Sequence, residues 1–235
     1  MTRYQQQQLV SEIGVKGQQK IKAAKVLIIG AGGLGTPVAT YLASAGVGCI
    51  GIVDGDEISL SNLHRQFLYT DADIGSGKSD TLAKKLRLMN HEITVDSYPV
   101  YLNAHNAPGI MEQYAIICDC TDEVEVRILI DEMSYNYKKP LVYAAIVEWE
   151  GYLTVLNHKS KVRLENIFSK LSLRERAANS CSISGIVNTT CGIVGSMQAA
   201  EVLKVILDIE SNVDGGILCI NTMFNSCRVF KVKSY

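Results

Sequence analysis

Short uninterrupted apolar runs alternate along this chain with longer stretches whose apolar positions recur every three to four residues. Lys25–Ile29 (KVLII), Cys49–Val53 (CIGIV), Tyr114–Cys118 (YAIIC) and Leu141–Ala145 are runs of the first kind, and they predict strands buried on both faces. Thr94–Val100 is a further expected strand. Between them, Thr36–Ala45 reads as a helix stopped by Gly46, and Ser79–Asn90 places Leu82, Leu86 and Met89 on one helical face. Ala104–Gln113 and Val124–Asn136 read as helices as well. Strand and helix in alternation predict right-handed crossovers and a mainly parallel sheet covered by helices on both faces.

After Ala145 the pattern changes. Gly151–Leu156 follows closely on Val147–Glu150, as an antiparallel hairpin partner does. Asn157–Ser180 is charged and weakly periodic, which predicts a loop with some helix. Thr190–Leu207 predicts a long, mostly buried helix, and Ile217–Ile220 with Arg228–Val232 a closing hairpin. No repeat and no linker interrupts the pattern. The expectation is therefore one domain over 1–235: a helical arm (1–24), an α/β part (25–145) and an antiparallel extension (146–235).

Composition sharpens this only in part. With 47% hydrophobic and 20% charged residues, 235 residues can bury a real core, which excludes intrinsic disorder. A net charge of −1 argues against a general nucleic-acid binder. The polar start MTRYQQQQLV is not a signal peptide, and Gln198, Glu201 and Lys204 interrupt the most apolar stretch, so no membrane partner is expected. Seven cysteines, an odd number without disulfide spacing, fit a reduced, cytoplasmic setting.

Gly30-Ala31-Gly32-Gly33-Leu34-Gly35 fits G-x-G-x-x-G between a strand and a helix. Glycines let the backbone approach a phosphate, and the helix N-terminus offers free N–H groups and a favourable dipole. Asp54 ends the next strand, where an acidic residue meets a ribose hydroxyl. The loop and Asp54 say nucleotide, in a Rossmann-like setting, and up to this point an NAD-dependent oxidoreductase looks the same. The segments Ser61-Asn62-Leu63-His64-Arg65-Gln66, Gly77-Lys78-Ser79 and Asp119-Cys120-Thr121-Asp122 change the picture. A parallel sheet brings all three to the carboxyl ends of its strands, beside the glycine loop. A dehydrogenase has no task for Arg65, Lys78 and Asp122. Nucleotidyl transfer has: cations stabilise charge developing on a triphosphate, and a carboxylate holds Mg²⁺. Gly77-Lys78-Ser79 is not a P-loop tail, because Ala72 stands where that motif needs glycine.

These residues lie in segments that resemble the ThiF/MoeB/HesA adenylyltransferases, relatives of the ubiquitin-activating enzymes. The matching segments are Gly17–Ile21, Val26–Gly48, Val53–Tyr69, Gly77–Leu82, Asp119–Arg127, Glu150–Val155 and Gly192–Lys204. The resemblance implies ATP-dependent adenylylation of the C-terminal glycine of a ubiquitin-like sulfur carrier ending in Gly-Gly. Thr36-Pro37 leans toward the ThiF branch and a thiamine-type carrier, with the molybdopterin-synthase carrier as the alternative. It also implies a homodimer, a sulfur-donor protein, and ATP and Mg²⁺ as cofactors. Gly30, Gly32, Gly33 and Gly35 would cradle ATP, and Asp54 would hold the ribose. Ser61, Asn62, Arg65, Gln66 and Lys78 would meet the phosphates, and Asp122 would bind the Mg²⁺. Arg65, Lys78 and Asp122 would be catalytic. Cys181, in the stretch resembling the crossover segment, is a candidate for a covalent link to the carrier or an ordinary loop cysteine. Cys191 is expected to be core packing and His64 incidental.

Two departures stand out. Many members carry two C-x-x-C pairs that bind structural zinc; this chain has none, so no zinc is expected, and packing of Asn157–Leu173 must organise that lobe. The family's N-terminal R-Y-x-R-Q motif reads Arg3-Tyr4-Gln5-Gln6-Gln7, so a cation that reaches the partner's ATP site is replaced by Gln6. Either Arg3 or another cation substitutes, or catalysis is slow, or ATP binds differently. A non-catalytic module that docks a ubiquitin-like protein is therefore a further alternative.

Overall fold

The computed structural model describes residues 3–169, 172 and 185–232. Eight strands form one sheet in the order β3-β2-β1-β4-β5-β6-β7-β8. β1 (Lys25–Ile29), β2 (Cys49–Val53), β3 (Thr94–Tyr98), β4 (Ile116–Asp119) and β5 (Leu141–Val147) run parallel. β6 (Glu150–Leu156), β7 (Gly216–Asn221) and β8 (Ser226–Lys231) continue the sheet antiparallel. The expected Rossmann-like α/β class with an antiparallel extension is the observed one.

Alternation along β1 divides the interior. Val26 and Ile28 enter one core, with Leu42 of α3 (Gly35–Ala45), Leu82 and Leu86 of α4 (Lys78–Met89) and Val194 of the helix Asn188–Leu207. Leu27 and Ile29 enter the other, with Met111 of α5 (Ala107–Met111), Ile128 and Ile130 of α6 (Val124–Asn136) and Leu164 of α7 (Leu164–Ile167). With both faces covered, the inner strands need no polar side, which is why their sequence runs are uninterrupted. α1 (Gln5–Gln8) and α2 (Gly14–Ala23) precede the sheet.

Helix Asn188–Leu207, here α8, is long and apolar enough to cross a membrane by length and composition. It lies instead against α3, β5 and β6, with Gln198 wholly buried. Gln198 Nε2 donates to the carbonyls of Asp119 (2.9 Å) and Val142 (3.0 Å), fastening α8 to the end of β4 and the start of β5.

The expected boundaries shift where local chemistry intervenes. β3 ends at Tyr98, before Pro99, which has no N–H for a ladder. α5 starts at Ala107 rather than at 104, because Asn103 Oδ1 accepts the N–H groups of His105 and Asn106 and closes a turn there. Gly46, in left-handed conformation at φ 84°, caps α3 as expected.

Candidate active site

The glycine loop leaves β1 and turns into α3. Gly35 has no room for a side chain: a Cβ there would lie 1.9 Å from the Gly30 carbonyl oxygen. Gly30 itself presses on the Cys120 carbonyl of β4's end, where a Cβ would come within 2.6 Å. These two glycines close the turn, and Gly32 and Gly33 sit on its cleft side, Gly32 beneath Gln66 and Gly33 against Cys191 and the Arg65 stem. Gly30, Gly32 and Gly33 line a cleft of about 460 Å³, whereas Gly35 lies behind them. Its missing side chain lets the start of α3 pack on the Gly30 carbonyl.

The same cleft is lined by Asp54, Asn62, Arg65, Gln66, Lys78 and Asp122, so the structure brings together residues that span 92 positions of sequence, from Gly30 to Asp122. Ser61 stands beside these residues rather than on the cleft wall. Its hydroxyl lies 3.0 Å from that of Ser59, and its carbonyl accepts from Arg65 Nη1 at 3.1 Å. It fixes the arginine from behind. His64, read as incidental, stands with Nε2 2.9 Å from Arg65 Nη1 and helps aim the same side chain. Arg3 does not replace the missing family arginine in its own subunit: it binds the Met89 carbonyl and Glu92, away from the cleft. Cys181 lies outside the described residues.

Asp54 is held by two amides, Ala31 N–H to Oδ2 (2.7 Å) and Asp56 N–H to Oδ1 (2.9 Å). Burial pushes its carboxyl above the ordinary range, against those two hydrogen bonds and the Lys78 charge. Tyr69, buried at the back, places its hydroxyl 2.9 Å from the Ala31 carbonyl and 3.2 Å from the Lys78 carbonyl, linking the glycine loop to the start of α4. Lys78 is itself buried, and its ammonium pairs with Asp56 Oδ2 at 2.6 Å.

Gln66, 2% exposed, carries a buried Oε1 with no hydrogen-bond partner. A buried orphan acceptor on a cleft wall suits a ligand that donates or a water it displaces. Asp122 opens onto the cleft and forms no ion pair among the described residues, with Glu123 beside it. Among those residues no group of three or more His, Cys, Asp or Glu could hold a metal ion by itself. One free carboxylate is the donor set that fits Mg²⁺ arriving on a triphosphate, since that cation keeps phosphate and water ligands. Asp122 would hold the cation there, and the positive charge of the cation would offset that of the phosphates.

Several site residues escaped sequence reasoning. Arg127 lines the cleft floor, donating to the Thr121 carbonyl and, at 2.8 Å, to the Tyr143 hydroxyl, with its guanidinium 5.2 Å from the Tyr143 ring centre. It braces the segment that carries Asp122. Asp56 and Tyr101 also line the cleft. Arg127 and Asp56 lay inside matched segments, so spacing could have flagged them; nothing flagged Tyr101. Cys191 is 2% exposed, as core packing requires, yet it also lines the cleft next to Gly33. Burial pushes its thiol up to about 11, so it stands there as a neutral group.

A parallel sheet with a glycine loop, a carboxylate at the end of β2 and cations over the loop defines an α/β protein of the doubly wound class, with its cleft at the carboxyl ends of the strands. The ThiF family model matches residues 4–235, and the chain belongs to the ThiF family. It is 35% identical over 237 residues to the sulfur carrier protein adenylyltransferase of Thermus thermophilus, covering 99% of this chain and 88% of that one. It is 41% identical over 233 residues to "adenylyltransferase and sulfurtransferase MOCS3" of Culex quinquefasciatus, covering 99% of this chain and 53% of that protein. The chain thus spans about half the length of such MOCS3 relatives. The fold matches that of E. coli MccB solved with ATP, at a TM-score of 0.87 and 21% identity, over 100% of this chain and 72% of that one.

Proposed function

We propose that this chain adenylylates the C-terminal glycine of a ubiquitin-like sulfur carrier. A carrier carboxylate oxygen forms a bond to the α-phosphorus of ATP, the bond from that phosphorus to the bridging oxygen breaks, and pyrophosphate leaves. The single observation that carries the reading is the convergence of Gly30, Gly32, Gly33, Asp54, Arg65, Lys78 and Asp122 on one cleft. The nucleophile is the carrier's own, so the chain needs no serine or histidine base; its work is positioning and charge stabilisation. Asp54 would orient the ribose, Arg65 and Lys78 would meet the phosphates, and Asp122 would hold the Mg²⁺, whose positive charge would be its contribution there. Ile146 and Ile186, at the other end of the cleft from Asp54's strand, suit a slender apolar path for the carrier's tail.

The thiamine-type and molybdopterin-type carriers present the same chemistry to this cleft. The Thr36-Pro37 signature does not separate them, because Pro37 packs on Gly195 of α8, a role in helix packing. In the homodimer that the family resemblance implies, exposed Gln6 on α1 would be the residue to reach across. The test is ATP–pyrophosphate exchange with Mg²⁺ and purified carriers of both types. Exchange that depends on a carrier supports the proposal. No exchange with either carrier, alongside tight NAD binding, sinks it.

A further inference from the structure

Of the three cations that line the cleft, Lys78 is the one held in an ion pair among the described residues. Its partner, Asp56, is bound to it twice: the Lys78 ammonium donates to Asp56 Oδ2 at 2.6 Å, and the Lys78 backbone N–H to the Asp56 carbonyl at 2.9 Å. The remaining carboxylate oxygen, Oδ1, accepts from the Tyr101 hydroxyl at 2.8 Å. The Tyr101 ring lies against Gly55, where an added Cβ would meet it at 2.8 Å, so Asp56 is clasped between the tyrosine and the lysine. The two partners differ in freedom. The Lys78 side chain is 8% exposed and cannot follow a ligand outward; that of Asp56 is 49% exposed and can turn to water.

We propose that Asp56, clasped by Tyr101, is the exchangeable counter-ion of Lys78. In the empty cleft its carboxylate stands where a phosphate oxygen of the nucleotide would stand, and it gives up the ammonium when a triphosphate binds. The inference rests on the adenylyl-transfer reading. Carboxylate and phosphate oxygens satisfy an ammonium alike, so the exchange leaves Lys78 paired throughout. Breaking the pair lowers ground-state affinity for any polyphosphate, because the free protein must surrender a contact first. Affinity withheld from the bound ground state does not slow the chemical step, and a carboxylate ready to reclaim Lys78 helps pyrophosphate leave. Lys78, the Tyr101 hydroxyl and its own position half in solvent set how readily Asp56 moves.

The experiment is calorimetric binding of MgATP and of pyrophosphate to the full chain, with the number of binding sites read from the same titration. Asp56→Asn is expected to bind both about fivefold more tightly, the scale of a partly exposed ion pair. Tyr101→Phe is expected to tighten binding by about twofold, and to add nothing to Asp56→Asn. Both gains should vanish in a Lys78→Ala background, since contacting residues act non-additively. Tighter binding is an outcome that structural damage does not produce: damage lowers the number of sites or the affinity. Unchanged or weaker binding by Asp56→Asn, or a gain that survives Lys78→Ala, overturns the inference alone. If Asp56→Asn does not fold, the isosteric Tyr101→Phe, with and without Lys78→Ala, decides it by the same criteria. A wild-type chain that binds no nucleotide overturns the adenylyl-transfer reading and the inference with it.

Discussion

Asp54 keeps its carboxylate in a buried place only because two backbone amides solvate it, and burial still raises its pKa. Its protonation removes ribose acceptors, so MgATP affinity should fall as pH drops through that raised value, above the ordinary carboxylate range. Asp54→Asn should bind MgATP about tenfold more weakly at neutral pH, as expected for losing a charged hydrogen bond, and should lack this acid limb in a calorimetric pH series. For stability the direction reverses. A carboxyl with a raised folded pKa binds its proton more readily in the native state, so its ionised form opposes folding at neutral pH, and that opposition fades as pH falls through the folded value. Asp122→Ala should abolish pyrophosphate exchange while leaving thermal unfolding near wild type, because the side chain is exposed and without an ion pair among the described residues. Cys181→Ser should spare exchange and block sulfur transfer; loss of neither would make it an ordinary loop cysteine. At this scale the glycine loop, Asp54 and Asp122 were legible because each is announced by its immediate neighbours. The clasp on Lys78 was not: Asp56 lies 22 residues before it and Tyr101 45 residues after Asp56, and only the folded sheet edge brings them together.

The segment between β6 and α8 shows at element scale what stands in for the absent zinc cysteines. Asp131 of α6, 3% exposed, accepts from Arg163 Nη2 (2.9 Å) and Nε (3.2 Å) and from the Leu164 backbone N–H (3.1 Å). Arg163 also stacks on Tyr135, 4.5 Å from its ring centre. Asp214 accepts the Ser160 N–H at 3.1 Å, the Lys159 N–H at 3.2 Å and the Ser160 hydroxyl. Two carboxylates thus gather the start of the loop, and the packing expected of this lobe includes Val162 and Leu164 in the core. Asp131→Ala should lower unfolding stability by about 2 kcal/mol in urea titration, since the buried Leu164 N–H loses its acceptor and Arg163 one of its two carboxylate partners, Glu165 being the other. Asp214→Ala should lower it by about 1–2 kcal/mol. A chelator should leave the melting temperature of the wild type unmoved. The sequence showed that cysteines were missing; it could not show the replacement, because Asp131 and Arg163 are 32 residues apart and belong to different periodic patterns.

At the scale of the molecule, eight strands in one sheet and two cores that share β1 predict a single cooperative unfolding transition by circular dichroism and by tryptophan fluorescence from Trp149. Two separated transitions would contradict the single domain expected for 1–235. Excess MgATP should raise the midpoint, and Lys78→Ala should weaken that shift. The order of elements was legible almost throughout, since α/β alternation leaves few topologies open. The β5–β6 reversal has a consequence of another kind. Glu150 pairs with Asn221, so the β5–β6 and β7–β8 tips lie at the end of the sheet where β1, β2 and β4 deliver the nucleotide cleft. Thr222 N–H donates to the Trp149 carbonyl and ties the tips together, and Trp149, Met223 and Phe224 stand exposed on them. The β5–β6 tip is bound to the cleft, since Glu148 N–H donates to the Gly185 carbonyl and the Glu148 carbonyl accepts from the Val187 N–H, on either side of cleft-lining Ile186, whereas ladder register is fixed below the β7–β8 tip, which can change side chain without moving a strand. One tip is therefore wired to the cleft and the other is not: a residue changed at Met223 or Phe224 alters only the surface, while one changed at Glu148 is felt beside Ile186.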